Sequence, residues 1–169
     1  ALRAPRVNTT ESAVTDPAEV AKPGNRELLS RALALLSRRE MGRSEFISKL
    51  LAAGYEKPEI EEAAAWCQSQ GFLNETRYVE GVARRLSSKY GASRVASTLR
   101  GKGVTEDAIA EAMPDLKVSE IDQARLLWAR KLGAPGETQA EKAKQMRYLQ
   151  SRGFSFDTIK KVVRGELDD

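Results

Sequence analysis

Residues 50–63 read LLAAGYEKPEIEEA, and the same frame returns at residues 99–112 (LRGKGVTEDAIAEA) and 149–162 (LQSRGFSFDTIKKV). Each copy has a leucine, then a glycine, then an isoleucine at the same spacing. The glycines stand at positions 54, 103 and 153, so successive copies are 49 and 50 residues apart. A fixed period of this size indicates tandem repeats, in which each small unit buries its apolar face against its neighbours.

Each copy of the frame predicts two short helices joined by a tight turn. The glycine is expected to end the first helix, because the residue at that point adopts a left-handed conformation. Ser44 and Ser93 precede the apolar stripes of the first two copies and are predicted to cap the helix N-termini with their hydroxyl groups. The third copy has Ala143 at this position, so we expect Thr138 to begin its helix instead.

A longer amphipathic helix is predicted before each pair, over residues 26–39, 75–88 and 118–132. The prediction is therefore nine helices in three groups of three. No stretch alternates apolar and polar residues in the manner of a strand. The expected fold is all-α, with three tandem three-helix repeats in an elongated, curved array.

The chain divides into four segments on this reading. We expect a flexible tail over residues 1–24, which contain three prolines and no periodic apolar stripe. The repeats are assigned to residues 25–73, 74–116 and 117–169. None of the segments has the roughly 20 consecutive apolar residues of a membrane span, so no membrane contact is expected.

The residue types that are missing exclude most catalytic chemistry. The 169-residue chain has no histidine and one cysteine, Cys67, which lies in a predicted apolar stripe. Catalysis by Ser-His-Asp or Cys-His groups and zinc sites of the Cys/His kind therefore lack their residues. We expect a protein that is not an enzyme and has no cofactor or bound metal. A lone buried thiol also fits the reducing cytoplasm.

Positive charge is concentrated in two blocks, although the net charge is only +4. Each block carries seven basic residues against one acid. The first block has Glu80 as its acid and contains Arg77, Arg84, Arg85, Lys89, Arg94, Arg100 and Lys102. The second has Asp157 and contains Lys142, Lys144, Arg147, Arg152, Lys160, Lys161 and Arg164. Basic clusters of this density can neutralise phosphates, which predicts a polyanionic partner.

Aromatic residues stand among these charges and could stack on the bases of a single strand. Tyr90 is the expected exposed ring, whereas Tyr148 and Phe154 are more typical of core packing at a helix end. The alternative is that Lys and Arg simply solubilise exposed helix faces. No pattern of base-reading side chains favours sequence-specific recognition.

Two runs of residues carry a resemblance to a known family. The run Gly71-Phe72-Leu73-Asn74-Glu75-Thr76-Arg77-Tyr78, followed by Lys89-Tyr90-Gly91-x2-Arg94 and Leu99-x2-Lys102-Gly103-Val104, resembles the central signature of the RecX family. The segment from Arg31-Ala32-Leu33 to Leu50 is similar to the first module of that family. The resemblance covers about residues 26–165 and is weaker toward the C-terminus.

The resemblance implies tandem three-helix modules and a function in controlling the recombinase RecA. A member of this family would bind the RecA filament on DNA and limit its growth, ATP hydrolysis and strand exchange, in DNA repair and the SOS response. The basic residues near Arg77, Lys89, Tyr90, Arg94 and Lys102 would then face the filament or its DNA. Contact with single-stranded DNA would be weak and non-specific, and we expect a monomer.

Two other kinds of binding protein fit the same residues. One is a stand-alone DNA-binding protein that competes for single strands, and the other is a helical adaptor whose basic faces meet acidic protein surfaces.

Overall fold

The computed structural model describes Asp16 and residues 19–164, and within them the chain is helical without a strand. The eight helices are α1 (Arg26–Arg38), α2 (Arg43–Ala52), α3 (Lys57–Ser69), α4 (Glu75–Ser87), α5 (Ala92–Gly101), α6 (Glu106–Lys131), α7 (Gln139–Ser151) and α8 (Phe156–Arg164). The all-α prediction is confirmed. The tail expected over residues 1–24 falls largely outside the described residues.

The expected count of nine helices is wrong for the described part of the chain, because two predicted helices are one. The helix that Thr105 caps, α6, continues through Pro114 into the helix expected at residues 118–132. Proline in a helix interior costs about 3 kcal/mol. Helix α6 nevertheless continues, since it buries Ile109 in one core and Leu127 in another.

Three apolar cores lie along the chain, and each is built from three helical segments. One core joins α1, α2 and α3, the next joins α4, α5 and the first half of α6, and the last joins the second half of α6 with α7 and α8. Representative buried side chains are Leu28, Phe46 and Ile60 in the first core, Val82, Val95 and Ile109 in the second, and Leu127, Leu149 and Ile159 in the third. We call the three units repeats 1, 2 and 3.

The turn in each frame is the same in all three repeats. Gly54, Gly103 and Gly153 have φ angles of 94°, 80° and 81°. The residue after each glycine donates its N–H to the carbonyl of the frame leucine, at 3.1–3.3 Å. Residues other than glycine rarely adopt this left-handed backbone conformation. The period of the glycines alone therefore predicts the turns.

The serine caps predicted for α2 and α5 are wrong. Helix α2 follows Gly42 and α5 follows Gly91, and neither N-cap residue has a side-chain hydrogen bond. Ser44 and Ser93 are the second residues of their helices, two positions past the N-cap, and so cannot cap them. The first N–H groups of these two helices therefore need acceptors from elsewhere in the molecule.

Those acceptors come from the following repeat. The N–H of Arg43 donates to Glu75 Oε2 at 2.9 Å, and the N–H of Ala92 donates to Glu120 Oε1 at 3.1 Å. Glu75 and Glu120 both lie on the first helical segment of the next repeat. A carboxylate at a helix N-terminus also interacts favourably with the helix dipole. The middle helices of repeats 1 and 2 are thus each capped by a carboxylate of the following repeat in the same chain.

The serines instead contact the turn of the following repeat. Ser93 Oγ donates to the carbonyl of Gly153 at 2.8 Å, and the N–H of Gly91 donates to the carbonyl of Arg152 at 2.8 Å. At the earlier junction, a Cβ added to Gly103 would lie 2.5 Å from Ser44 Oγ. The same helix start therefore packs on the same glycine turn at both junctions.

Repeat 3 caps its own middle helix. Thr138 Oγ1 accepts the N–H of Glu141 at 3.2 Å, and Glu141 Oε2 accepts the N–H of Thr138 at 3.0 Å. This is a capping box, and it confirms Thr138 as the start of α7.

Candidate functional site

Basic side chains from separate parts of the sequence meet where repeat 2 packs on repeat 3. They line a cleft of about 480 Å³, which we call the second-junction cleft. Its wall comes from the loop before α5, the end of α6 and the end of α7. The lining residues are Lys89, Tyr90, Leu127, Arg130, Lys131, Tyr148 and Arg152.

Guanidinium groups flank the aromatic rings of this cleft. Arg94 Cζ lies 4.5 Å from the centroid of the Tyr90 ring, and Arg152 Cζ lies 5.6 Å from it. Arg152 Cζ is also 5.3 Å from the centroid of the Tyr148 ring. Cations at these distances are attracted to the ring faces, so the tyrosines fix the positions of the arginines. Tyr90 is half-buried rather than exposed as predicted.

A hydrogen bond ties one of these arginines to the next repeat. Arg94 Nη1 donates to the carbonyl of Ser151 at 3.0 Å. Arg94 is therefore held by both the ring of Tyr90 and the end of α7. It contributes charge to the cleft and also links repeats 2 and 3.

A corresponding cleft of about 420 Å³ lies where repeat 1 packs on repeat 2, and we call it the first-junction cleft. It is lined by Arg39, Glu45, Tyr78, Arg85 and Lys102. Two of its cations match cations of the second-junction cleft by position in the repeat. Lys102 and Arg152 each precede a turn glycine, and Arg85 follows Glu75 at the same distance as Arg130 follows Glu120. The clefts therefore recur with the repeat.

The first-junction cleft carries less positive charge than the second. Glu45 takes the position in its repeat that Arg94 has in the next, and it forms an ion pair with Arg39. The hydrogen bond from the Arg39 guanidinium lowers the pKa of the Glu45 carboxyl below its usual value. Glu45 thus remains ionised and offsets one of the three cations there.

A third group of basic residues lies at the C-terminal end of the described chain. Lys142 and Lys160 line a groove of about 390 Å³ together with Phe156. Lys160 Nζ lies 4.9 Å from the centroid of the exposed Phe156 ring. Phe154 is buried in the core, in agreement with the core-packing interpretation.

The remaining predicted residues are dispersed. Arg77 forms an ion pair with Glu40 and donates to the carbonyl of Gly71, and Arg100 forms an ion pair with Glu106. The others lie apart from both junction clefts: Arg84 lines a groove between α4 and α6, Lys144 and Arg147 are exposed, and Lys161 is half-buried. The two blocks of the sequence thus contribute to three surface groups, and these six residues lie outside them.

Three basic residues of the clefts were absent from the sequence-based set, namely Arg39, Arg130 and Lys131. Arg130 and Lys131 lie between the two basic blocks, at the end of a helix whose partners are distant in sequence. Arg130 has the same position in its repeat as Arg85, and this match was the sequence signal that could have identified it.

No group of three or more potential metal ligands lies together in the described part of the chain. Burial raises the pKa of the Cys67 thiol to about 11, so this side chain stays protonated at neutral pH. No helix in the described part of the chain is long and apolar enough to cross a bilayer.

Comparison with known proteins gives a consistent result. The family model for the second three-helix domain of RecX matches residues 74–113, and the model for the third three-helix domain matches residues 119–163. A "Regulatory protein RecX" of Ralstonia nicotianae is 36% identical over 84% of this chain and 91% of its own length. One of Leptothrix cholodnii is 39% identical over 81% and 87%.

A solved structure has the same fold at lower sequence identity. The crystal structure of RecX from Lactobacillus salivarius superposes with a TM-score of 0.72 at 19% identity, covering 82% of this chain and 94% of that one. The likeness extends over all three repeats.

Proposed function

The chain belongs to the RecX family of regulatory proteins, and from this membership we propose that it is a non-enzymatic inhibitor of RecA. It binds the groove of the RecA filament on DNA through its basic helical faces. Binding limits filament growth, ATP hydrolysis and strand exchange. The protein acts as a monomer in the cytoplasm.

The observation that carries this proposal is the recurrence of a basic cleft at both repeat junctions. The two clefts share a construction, because each combines the end of one helix with the turn of the next repeat. A filament presents phosphates and protein subunits at regular intervals. Basic sites that recur along an array of repeats suit such a target better than a single pocket does.

The mechanism relies on several weak contacts made together. Once one cleft is bound, the other is held close to its target at high effective concentration. A protein lodged across the groove would oppose the subunit movements of ATP hydrolysis and would obstruct the second DNA needed for strand exchange. No deep pocket is required for tight binding of this kind.

Single-strand-dependent ATP hydrolysis by RecA tests the proposal. The protein is titrated at fixed DNA, and the titration is repeated with doubled DNA. We expect inhibition at substoichiometric protein that extra DNA does not relieve. Absence of inhibition would contradict the proposed function.

A pair of charge variants tests the site. Lys89→Glu with Lys131→Glu reverses two exposed cations of the second-junction cleft. The control, Lys57→Glu with Lys117→Glu, makes the same change in net charge on exposed side chains outside both clefts. We expect the first variant to need about tenfold more protein for half-inhibition and the control to resemble the wild type. Equal behaviour of the two variants would remove the cleft from the mechanism.

A second candidate is a stand-alone protein that binds single-stranded DNA. The aromatic rings of Tyr90, Tyr148 and Phe156 beside cations favour it, since such pairs are typical of single-strand contacts. This candidate predicts inhibition only when the protein rivals the DNA in concentration, with relief by added DNA. The doubled-DNA titration separates the two candidates.

A further inference from the structure

A groove of about 490 Å³ runs between α4 and α6 and shares no residue with the junction clefts. Both helices contribute one regular face to it. The α4 face consists of Thr76, Val79, Glu80, Ala83, Arg84 and Ser87. The α6 face consists of Ala108, Glu111, Ala112, Asp115, Leu116, Ser119 and Gln123. These spacings follow the helical period over three to four turns, or roughly 16–22 Å along the helix axes.

The floor of the groove is apolar and built from small side chains. Val79 and Leu116 are buried beneath it, and Ala83, Ala108 and Ala112 are partly buried along it. Alanines at helical spacing on two neighbouring helices leave space for a third helix to approach closely. The length of the groove matches a helix of about 11–15 residues.

The rim of the groove is acidic, in contrast to the junction clefts. Glu80, Glu111 and Asp115 stand exposed along it, against the single cation Arg84. Among residues 19–164, no ion pair joins these three carboxylates to a basic side chain. The rim therefore repels a nucleic acid and attracts a basic polypeptide.

We propose that the α4–α6 groove binds an amphipathic helix of a protein partner, with a narrow apolar stripe flanked by Lys and Arg. The stripe packs on the alanine-lined floor, and the flanking cations pair with the three carboxylates of the rim. This is the helix-in-groove mode of recognition. The protein then has a basic surface for a polyanion and a separate acidic groove for a protein, and the second does not depend on the first.

Synthetic helical peptides of about 16 residues provide the probe, with the full chain as the receptor. Three labelled peptides carry Ala, Val or Leu in the apolar stripe and Lys or Arg on both sides. Matched peptides carry Glu in place of Lys and Arg. Fluorescence anisotropy at low salt is expected to show binding of at least one basic peptide and about tenfold weaker binding of its acidic counterpart.

Two groove variants and one control locate the site. Glu111→Lys with Asp115→Lys reverses the rim, and Ala112→Leu fills the floor. Each is expected to weaken binding of the basic peptide about tenfold. The control, Glu62→Lys with Glu137→Lys, makes the same change in net charge on exposed side chains outside the groove and should leave binding unchanged. Circular dichroism verifies that each variant remains helical.

Several results would overturn the assignment. Failure of all three basic peptides to bind would do so, as would equal binding of the acidic peptides. Equal loss in the rim and control variants would reduce the interaction to general attraction by net charge. Undiminished binding to the folded Ala112→Leu variant would place the peptide elsewhere on the surface.

Discussion

Glu120 is a buried carboxylate with an unusually full set of hydrogen-bond donors. It is 7% exposed and accepts the N–H of Ala92 and the hydroxyl groups of Ser155 and Thr158, at 2.6–3.1 Å. Burial of an ionised group is costly unless its oxygens are satisfied. Here the donors come from the starts of α5 and α8, so one side chain fastens two helices to α6.

Removal of this carboxylate is expected to destabilise the protein strongly. Glu120→Ala leaves the N–H of Ala92 and the hydroxyl of Thr158 without an acceptor, and each unsatisfied buried group costs about 1–3 kcal/mol. We expect a loss of about 2–4 kcal/mol in the free energy of unfolding measured with urea. Glu120→Gln keeps one acceptor and should lose less.

The exposed Glu62 supplies the matched control. Glu62→Ala is expected to change the free energy of unfolding by less than about 0.5 kcal/mol. A Glu120→Ala variant that unfolds at the same urea concentration as this control would show that the hydrogen bonds to Glu120 are dispensable.

Substitutions at Gly153 and Gly54 distinguish the cost of backbone strain from the cost of a clash between repeats. Both have positive φ angles, but a Cβ at Gly153 would lie 2.5 Å from the Cβ of Arg94, whereas a Cβ at Gly54 would meet nothing within 4 Å. Gly54→Ala should therefore cost about 1–2 kcal/mol from the backbone alone. Gly153→Ala should cost about 1–3 kcal/mol more, because repeats 2 and 3 must move apart. Equal losses in the free energy of unfolding, measured with urea, would mean that the junction accommodates the added Cβ without further cost.

Sequence reasoning succeeded at the glycines and failed at the serines for a physical reason. The left-handed turn is a local requirement, so the spacing of Gly54, Gly103 and Gly153 was enough to locate it. The acceptors for the starts of α2 and α5 lie on another repeat. Ser44 and Ser93 had the right residue type near the right place, but the local sequence does not reveal a carboxylate about 30 residues away.

At the scale of whole elements, α6 is where prediction and structure differ most. Proline is disfavoured in a helix interior, yet α6 runs through Pro114. Ile109 before Pro114 is buried in one core and Ala124 after it in the next, so one continuous helix serves both. Tertiary packing therefore decided the boundary against the local preference.

Helix α7 depends on a charged cap that responds to pH. Hydrogen bonds from the N–H groups of Thr138 and Glu137 lower the pKa of Glu141 from its usual value of 4.5. A carboxyl with a lowered pKa in the folded state stabilises the fold above its unfolded pKa, and this contribution is lost as the pH falls through the folded pKa.

Glu141→Gln is expected to reveal this contribution, because glutamine keeps an acceptor but loses the charge. The variant should have a lower Tm than the wild type near about pH 7, and the gap should close toward about pH 3. Thermal unfolding followed by circular dichroism measures both proteins in the same buffers. A difference in Tm that stays constant with pH would show that the charge of Glu141 does not contribute to the cap.

At the scale of the whole molecule, the positive surface is assembled by repeat stacking. The sequence located the basic blocks but did not pair Lys89 with Arg130 or Arg152, because these residues come from different helices and become neighbours only at a junction. Motif spacing within one repeat could predict the modules and their fold. The clefts required the packing of one repeat on the next.

Electrostatic binding by these clefts predicts a dependence on salt. Inhibition of RecA should weaken steeply between about 50 and about 200 mM salt, since neutralised phosphates release counterions. The Lys89→Glu, Lys131→Glu variant should show a shallower slope than the wild type, because it makes fewer such contacts. Half-inhibition concentrations across the salt series measure both slopes. Inhibition that is flat across the series would exclude the basic clefts as the contact.

The capping of α2 and α5 by the following repeat also affects how these helices form during synthesis. A nascent chain emerges from its N-terminus, so α2 leaves the ribosome before Glu75, and α5 leaves before Glu120. Each of these helices lacks its cap until the following repeat has been made. Of the three middle helices, α7 alone, with Thr138 and Glu141, is capped once its own repeat is complete. The middle helices of repeats 1 and 2 thus wait for the repeat that follows them, whereas the middle helix of repeat 3 does not.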